Sequence, residues 1–475
     1  MVVKGTVKAD LKRLLVFIVL IATFAGIARA ELSQRIDSIV TAPAVVKVSF
    51  GINILDPATG AILYSRNGSA PMVPASNMKL ITSAAAIKYL GPEFIYQTSV
   101  GLIGNTLAVI GSGDPLLGDK PTMQKCYLDC RWMLKDIAEQ LRQKNINTIT
   151  DVVVDSTIFD DELVHPSWPP EELNRWYACQ VSGLNYNGNC VEVIAEAVGG
   201  RVELTLDPQT DYVEIINKCS PSAKPPDTVW CARQPGSNVI TVLGACHNRC
   251  EPVRVAVDRP AVFFGFLLAE ELKRHDITVA GRLIEREILP AEPFQQLVVY
   301  NTSLWDVLER CNKDSFGLAA ESLLKTIAAY RQPSGKSGSW LLGQQLISGY
   351  LLSLGIPPDQ FSLDDGSGLS EKNRLSANTL STVLLDLYKN PNWQRFKQTL
   401  AVGGLDGTSA KFFTEPKYKG KVFGKTGYIE GVKAFSGVCS TSAGDRIFVI
   451  ITNNANGNTR PAINDVVKAV IDESR

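Results

Sequence analysis

Ser76 and Lys79 stand three residues apart in Pro74-Ala75-Ser76-Asn77-Met78-Lys79, the opening of a helix-compatible stretch that runs to Leu90. Positions i and i+3 of a helix share a face, so the lysine amine can reach the serine hydroxyl. A serine alcohol is a weak nucleophile until a base takes its proton. A lysine whose pKa is depressed by burial or nearby cations can be that base. The serine would sit at the helix N-terminus, where the dipole favours developing negative charge. Alone, the S-x-x-K spacing is as well read as a capping serine beside a solvated lysine. A second element lies near the other end, Gly424-Lys425-Thr426-Gly427, followed by the strand-like run Tyr428 to Val432. Its cation and hydroxyl suit a substrate carboxylate, and its glycine lets a peptide lie along the strand edge. In this order, at opposite ends of one chain, the two form a serine/lysine acyl-transfer pattern.

Other nucleophilic arrangements have less to work with. The three histidines, His165, His247 and His275, all fall between the two motif-bearing ends. A Ser-His-Asp triad would have to bring one of them across domains, so each reads as a surface or packing residue. Cys311 reads as helix packing.

The elements that must position these residues follow from the pattern of the chain. Val46 to Ile54 alternates as a strand, Asp56-Pro57-Ala58-Thr59-Gly60 supplies a turn, and Ala61 to Tyr64 makes a second strand. Gly91-Pro92 stops the helix that starts at Ser76. From about Tyr96 to Leu289 the character changes to short strand-like runs such as Thr106–Gly111, Val152–Val154 and Val202–Leu206, with a surface loop expected over Ser220–Asn238. Helical character returns near Ser303–Arg310, Ala319–Tyr330 and Gly338–Leu354. Strands follow over Val432–Val438 and Arg446–Ile451, then a last helix over Ala462–Ile471. The reading is an α/β fold, an antiparallel sheet flanked by helices. It is assembled from residues 31–95 and 290–475 and interrupted by a mostly β insertion over 96–289, with an inner subdomain at about 165–240.

Composition sets the outer bounds. Hydrophobic residues at 45% and charged residues at 20% describe an ordinary globular chain of 475 residues. Lys plus Arg equals Asp plus Glu at 48 each, which gives no overall pull toward nucleic acid. Lys4, Lys8, Lys12 and Arg13 precede an apolar run from Leu14 to Ile27, and Ala28-Arg29-Ala30 follows. That is the form of a secretory signal cleaved after Ala30, too short to span a bilayer as a helix of ~20 residues. No other stretch is long and apolar enough to span. The mature protein is therefore expected in the periplasm or cell envelope. Ten cysteines, eight of them between Cys126 and Cys250, read most simply as disulfides in such a compartment. Spacing leaves their pairing open. Cys126, Cys130, Cys246 and Cys250, with His247 nearby, form an alternative zinc set at the loose edge of ligand spacing. No cofactor or resident metal is expected.

Eight ordered segments carry a resemblance. They are Pro74 to Lys79, Gly111-Ser112-Gly113-Asp114-Pro115, Val154-Asp155 through Phe159-Asp160, Trp168-Pro169, Asn189-Cys190, Asp365-Gly366-Ser367-Gly368-Leu369-Ser370, Leu405-Asp406-Gly407-Thr408 and Lys425-Thr426-Gly427. Over nearly the whole mature chain the sequence resembles the D-alanyl-D-alanine carboxypeptidase/endopeptidases of the class C, type-four penicillin-binding proteins. The resemblance implies a β-lactamase-like transpeptidase domain with two further domains inserted after the S-x-x-K helix. It implies peptidoglycan stem peptides or cross-links as substrates and β-lactams as covalent inhibitors. It also implies the roles. Ser76 attacks the carbonyl between two D-alanines with Lys79 as base, Ser315 passes a proton to the leaving D-alanine, and Lys425 and Thr426 of Lys425-Thr426-Gly427 hold its carboxylate. The N–H groups of Ser76 and Tyr428 form the oxyanion hole. Asp155 meets an amino group on the third stem residue, for which a turn aspartate after a strand is the equal alternative. Glu371 stands where relatives often carry a basic residue, which weakens any preference for a side-chain carboxylate.

One family signature is broken. Where relatives carry S-x-N within N-K-x-S-D-N-x-x-A-E, this chain has Asn312-Lys313-Asp314-Ser315-Phe316-Gly317-Leu318-Ala319-Ala320-Glu321. Ser315 is in place, and Gly317 replaces the asparagine implied to hold the first lysine and the substrate. Losing one positioned donor costs on the order of 2–4 kcal/mol of transition-state stabilisation. Restoring asparagine at position 317 is accordingly expected to speed acylation. Two alternatives stand beside the peptidase: a peptidoglycan-binding protein that kept the fold without turnover, and a β-lactamase or esterase of the same Ser/Lys superfamily.

Overall fold

The computed structural model describes residues 30–331 and 337–473; the expected signal segment over residues 1–29 lies outside the described residues. Among the described residues no helix is long and apolar enough to cross a membrane.

The two ends of the chain build one six-stranded sheet. Ser49–Leu55 pairs with Ile62–Arg66 on one side and with the C-terminal strand Gly444–Asn453 on the other, Ile52 lying opposite Ile450. The sheet continues antiparallel through Val432–Thr441 and Val422–Ile429 to the two-residue edge strand Ala401–Val402. Its central strands are buried on both faces, and their side chains alternate between two cores as the period of two requires. Phe448 and Ile450 pack with Ile463, Val466 and Val470 of the last helix, Thr459–Glu473. Ile447, Val449 and Ile451 pack on the other side with Leu80, Ile81 and Ala84 of the helix Met78–Leu90, and with Leu380 and Val383 of Ala377–Lys389. The helix Met78–Leu90 is buried from Met78 to Ile87. An interior helix of this kind reads as uniformly apolar rather than amphipathic, which matches its run of Ala, Leu and Ile.

The insertion has its own five-stranded sheet, ordered Leu283–Glu285, Val152–Asp155, Thr106–Ile110, Ile95–Ile103, Phe294–Ser303. Ile95–Ile103 and Phe294–Ser303 pair from Ile95 opposite Ser303 to Ile103 opposite Phe294. Residues 294–303 therefore belong to the inserted sheet, not to the unit built from the two ends of the chain that the sequence reading gave them. A strand pattern announces a strand without naming its partner. The inserted region is also more helical than expected. Trp132–Gln143 and Pro260–Arg274 share a core with this sheet, through Leu134, Ile137, Phe263, Phe264 and Leu267 against Val100, Val109 and Val154. An inner part contains two small three-stranded sheets and a two-stranded one and reaches Ala256, beyond the expected limit near 240. The expected loop over 220–238 contains the strand Trp230–Arg233.

All ten cysteines are free, so the expected disulfides are absent from this structure. The four-cysteine zinc set is not assembled either. Cys246 and Cys250 converge with Asp227, their ligand atoms within 4.8 Å of one another, and neither Cys126 nor Cys130 belongs to that group. Cys130 lies instead beside Asp207, at 3.7 Å.

Candidate active site

Ser76 occupies a single 3-10 turn, Ala75–Asn77, that runs directly into the helix Met78–Leu90. Contacts from the C-terminal half hold this turn. The Asn77 amide donates to the Lys425 carbonyl at 2.9 Å, and Asn453 exchanges two hydrogen bonds of 3.1 Å with the backbone of Val73. Gly427 completes the approach. A Cβ there would lie 3.0 Å from the Pro74 carbonyl and 3.2 Å from Ala75 Cβ, so the Lys-Thr-Gly strand rests against the serine turn because it carries no side chain at this point. The two motifs, nearly 350 residues apart along the chain, form one cleft.

Within it Lys79 Nζ lies 3.2 Å from Ser76 Oγ and donates to the Ser367 carbonyl at 2.7 Å. Lys79 is 3% exposed, whereas Ser76 is half-buried. Burial lowers the pKa of the amine, and Cys311, Glu321 and Asp365 pull it partly back. A lysine in such surroundings gives up its charge more readily than one in water, which is what a base for the serine proton requires.

Lys425 sets the opposite wall. Its Nζ donates to Ser315 Oγ and to the Thr426 carbonyl, both at 2.8 Å. Burial, then the charge on Lys79, holds its pKa well below the usual lysine range. Thr426 Oγ1 is 2.7 Å from the Thr408 hydroxyl, and Tyr428, the next outward residue but one, is 70% exposed. The edge strand pairs only with Phe423 and Gly424. Beyond them the outer edge of the Lys-Thr-Gly strand has no strand partner among the described residues, which leaves room for an extended peptide to add there.

Ser315 has φ 61°, in the left-handed region that a serine enters only under restraint. The restraint comes from Arg310. Its carbonyl accepts from Phe316 N at 3.1 Å, its guanidinium meets Asp314 at 2.6 Å, and its Nε and Nη2 hold Asp119 of the inserted region at 2.8 and 3.0 Å. Asp119 is fully buried, so the insertion anchors the loop that presents Ser315.

Position 317 differs from the sequence expectation. Gly317 opens the helix Gly317–Arg331, and a Cβ built there would lie 2.9 Å from the main-chain oxygen of Tyr177. Backbone of the insertion's 3-10 turn Trp176–Ala178 thus occupies the space a side chain would take. Lys79 is not left unheld either, because Ser367 supplies a carbonyl. The expected gain from Gly317→Asn loses both of its premises here.

Of the residues predicted from sequence, Ser76, Lys79, Ser315, Lys425, Thr426 and Gly427 come together, with Tyr428 at the rim. Asp155 does not join them by any hydrogen bond. Its Oδ1 accepts from Thr157 N and Oγ1 and its Oδ2 from Ile288 N, at 2.9, 2.7 and 2.7 Å. Asp155 is 5% exposed, and its carboxylate is committed to the turn after its strand and to the backbone at Ile288. Asn77, Thr408, Tyr177, Glu321, Asp365 and the Ser367 carbonyl were not assigned roles from sequence. Several lie in runs that carry the resemblance, but a main-chain acceptor has no side-chain signature.

Comparison with known proteins gives the family and the fold. Residues 32–473 match the D-Ala-D-Ala carboxypeptidase 3 (S13) family. The chain is 30% identical over 474 residues to a D-alanyl-D-alanine carboxypeptidase of Actinomadura sp., covering 94% of this chain and 85% of that protein. It is 25% identical to the D-alanyl-D-alanine carboxypeptidase DacB of Haemophilus influenzae, covering 90% and 88%. In fold it is similar to the crystal structure of penicillin binding protein 4 (dacB) from Haemophilus influenzae, with TM-score 0.75, 23% identity and coverage of 90% and 96%. A second structure of that protein, complexed with a β-lactam, gives TM-score 0.70 at 22% identity and the same coverage. With the family matched from end to end of the described chain, this protein belongs to the D-Ala-D-Ala carboxypeptidase 3 (S13) family of serine-type peptidases.

Proposed function

We propose that the protein is an exported serine DD-peptidase that cleaves peptidoglycan stem peptides or their cross-links through an acyl-enzyme on Ser76, and that β-lactams acylate the same serine. The observation that carries the reading is the pairing of two buried amines with two accessible hydroxyls, Lys79 with Ser76 at 3.2 Å and Lys425 with Ser315 at 2.8 Å.

Lys79 takes the Ser76 proton as Oγ attacks the carbonyl between the two D-alanines. The N–H groups of Ser76 and Tyr428 receive the developing oxyanion. The proton taken by Lys79 passes by way of Ser315, hydrogen-bonded to Lys425, to the leaving amine, which leaves Lys79 a free amine and Ser315 a hydroxyl, and Lys425 and Thr426 hold the terminal carboxylate. Water then hydrolyses the ester, with Lys79 again as base. In this reading the free edge of the Lys-Thr-Gly strand aligns the peptide. Asp155 serves the amino group of the third stem residue only if its turn opens.

Fluorescent penicillin labelling and D-alanine release from a stem pentapeptide test the proposal. The folded protein should label and release D-alanine, and Ser76→Ala should do neither. Equal labelling or release by Ser76→Ala sinks it. One rival, a binding protein with the fold but no turnover, starts from the missing asparagine at Gly317. That rival predicts peptidoglycan binding with no D-alanine release from the unaltered protein.

A further inference from the structure

Two buried carboxylates lie behind Lys79, and the acylation scheme leaves both unused. Glu321 is 1% exposed and Asp365 fully buried. Each is gripped by hydrogen-bond donors alone. Glu321 Oε1 accepts from Ser367 N at 2.7 Å, and its Oε2 accepts from Gly366 N at 2.9 Å and Trp340 Nε1 at 2.8 Å. Asp365 accepts from the main chain of Gly368 and Ser370, both at 2.7 Å, and from Asn373 Nδ2 and Trp168 Nε1 at 2.7 and 3.0 Å. Between them the two side chains fix the turn from Asp365 to Ser370. They aim its carbonyls at the serine helix, where the Gly366 oxygen accepts from Thr82 Oγ1 and the Ser367 oxygen from Lys79 Nζ, both at 2.7 Å.

The link from Glu321 to Lys79 is one peptide unit long. The carboxylate holds Gly366 N and Ser367 N, and Ser367 O holds the amine. Position 317 offers no side chain to do this. We propose that Glu321 is a positioning residue for Lys79, clamping the Gly366–Ser367 backbone so that the Ser367 carbonyl keeps the amine against Ser76. The proposal rests on the reading of Ser76 and Lys79 given above.

Glutamine is the informative replacement because the site accepts and never donates. Either orientation of the amide turns an NH2 group toward a backbone or indole N–H, so one clamp bond becomes a repulsion. Charge supplies a second signal. Lys79 faces Glu321, Asp365 and Cys311, and it also feels Lys425 across the cleft. Glu321 and Asp365 favour its charged form, so removing the Glu321 charge makes the amine easier to deprotonate.

The test compares the unaltered protein with Glu321→Gln by the second-order rate of fluorescent-penicillin acylation across pH, with folding checked by circular dichroism. Acylation should fall about ten- to a hundredfold, the usual loss when a partner behind a functional group is removed. The acid limb of the remaining rate should move to lower pH. A merely structural role would slow the reaction without moving that limb. Wild-type rates with an unmoved limb in folded Glu321→Gln overturn the proposal. If that variant does not fold, Trp340→Phe removes one donor and keeps the carboxylate. A severalfold loss is then expected, and an unchanged rate overturns the proposal equally. Ser76→Ala is run alongside. Labelling that survives it removes the parent reading, whereas Ser76-dependent labelling with an indifferent Glu321 removes this inference alone.

Discussion

Gly317→Asn separates the sequence pattern from the packing. On pattern alone the asparagine completes the family signature and recovers on the order of 2–4 kcal/mol of transition-state stabilisation, roughly 30- to 1000-fold in acylation rate. The packing opposes this. A Cβ at 317 meets Tyr177 O at 2.9 Å, Tyr177 C at 3.7 Å and Tyr177 Cα at 3.9 Å, all backbone. That backbone cannot swing aside like a side-chain tip. Ala178 N donates to Arg175 O at 3.0 Å, and Ala178 and Cys179 are buried in the core that holds the helix Met78–Leu90. Overpacking against a fixed neighbour costs about 1–3 kcal/mol. It outweighs the ~0.5–1 kcal/mol that exchanging a helical glycine for alanine returns. Gly317→Ala should therefore lower unfolding stability by about 1 kcal/mol, on that same difference. Gly317→Asn should be less stable still and acylate no faster than the unaltered protein. Urea unfolding and fluorescent-penicillin kinetics measure both. An Asn variant as stable as its parent and tens of times faster would refute the argument, by showing that the Tyr177 turn yields freely.

Three further outcomes follow from buried charge. Acylation should fall as pH drops through the lowered pKa of Lys79, because only the free amine can act as base; a limb at the ordinary lysine value of 10.5 would contradict the assignment. Arg310→Met strands the fully buried Asp119 carboxylate and should cost about 3–5 kcal/mol in chemical unfolding, and it should slow acylation by freeing Ser315. Asp114 is buried, and burial raises its carboxyl to about 6 from 3.8. A raised carboxyl makes the folded state the better proton binder between these values, so the penalty for ionising it is absent below 3.8 and complete above 6. Asp114→Asn should therefore stabilise the protein by up to about 3 kcal/mol at pH 7 and by nothing near pH 3, read from urea midpoints at both pH values.

The residues of the candidate site were legible because they are side chains held in short, ordered motifs. Ser76, Lys79, Ser315 and Lys425-Thr426-Gly427 needed only a helical turn, a strand and the order of the segments. Runs such as Arg446–Ile451 also gave away their strands, since a central strand buried on both faces is apolar throughout. Partner choice was not legible. Phe294–Ser303 looks like a strand in either unit, and only its pairing with Ile95–Ile103 assigns it to the insertion. Asp155 shows the same limit, because a conspicuous aspartate can be consumed by its own turn and by a backbone N–H that lies far along the chain.

The sequence by itself determined which groups can react, because chemistry belongs to side chains and their local spacing. Tertiary structure alone decided how those groups are held. The Lys79 amine is held by the main-chain carbonyl of Ser367, and the space at Gly317 is filled by the main-chain oxygen of Tyr177. Every residue carries the same backbone carbonyl, so nothing in the order of letters says which one will point into the cleft.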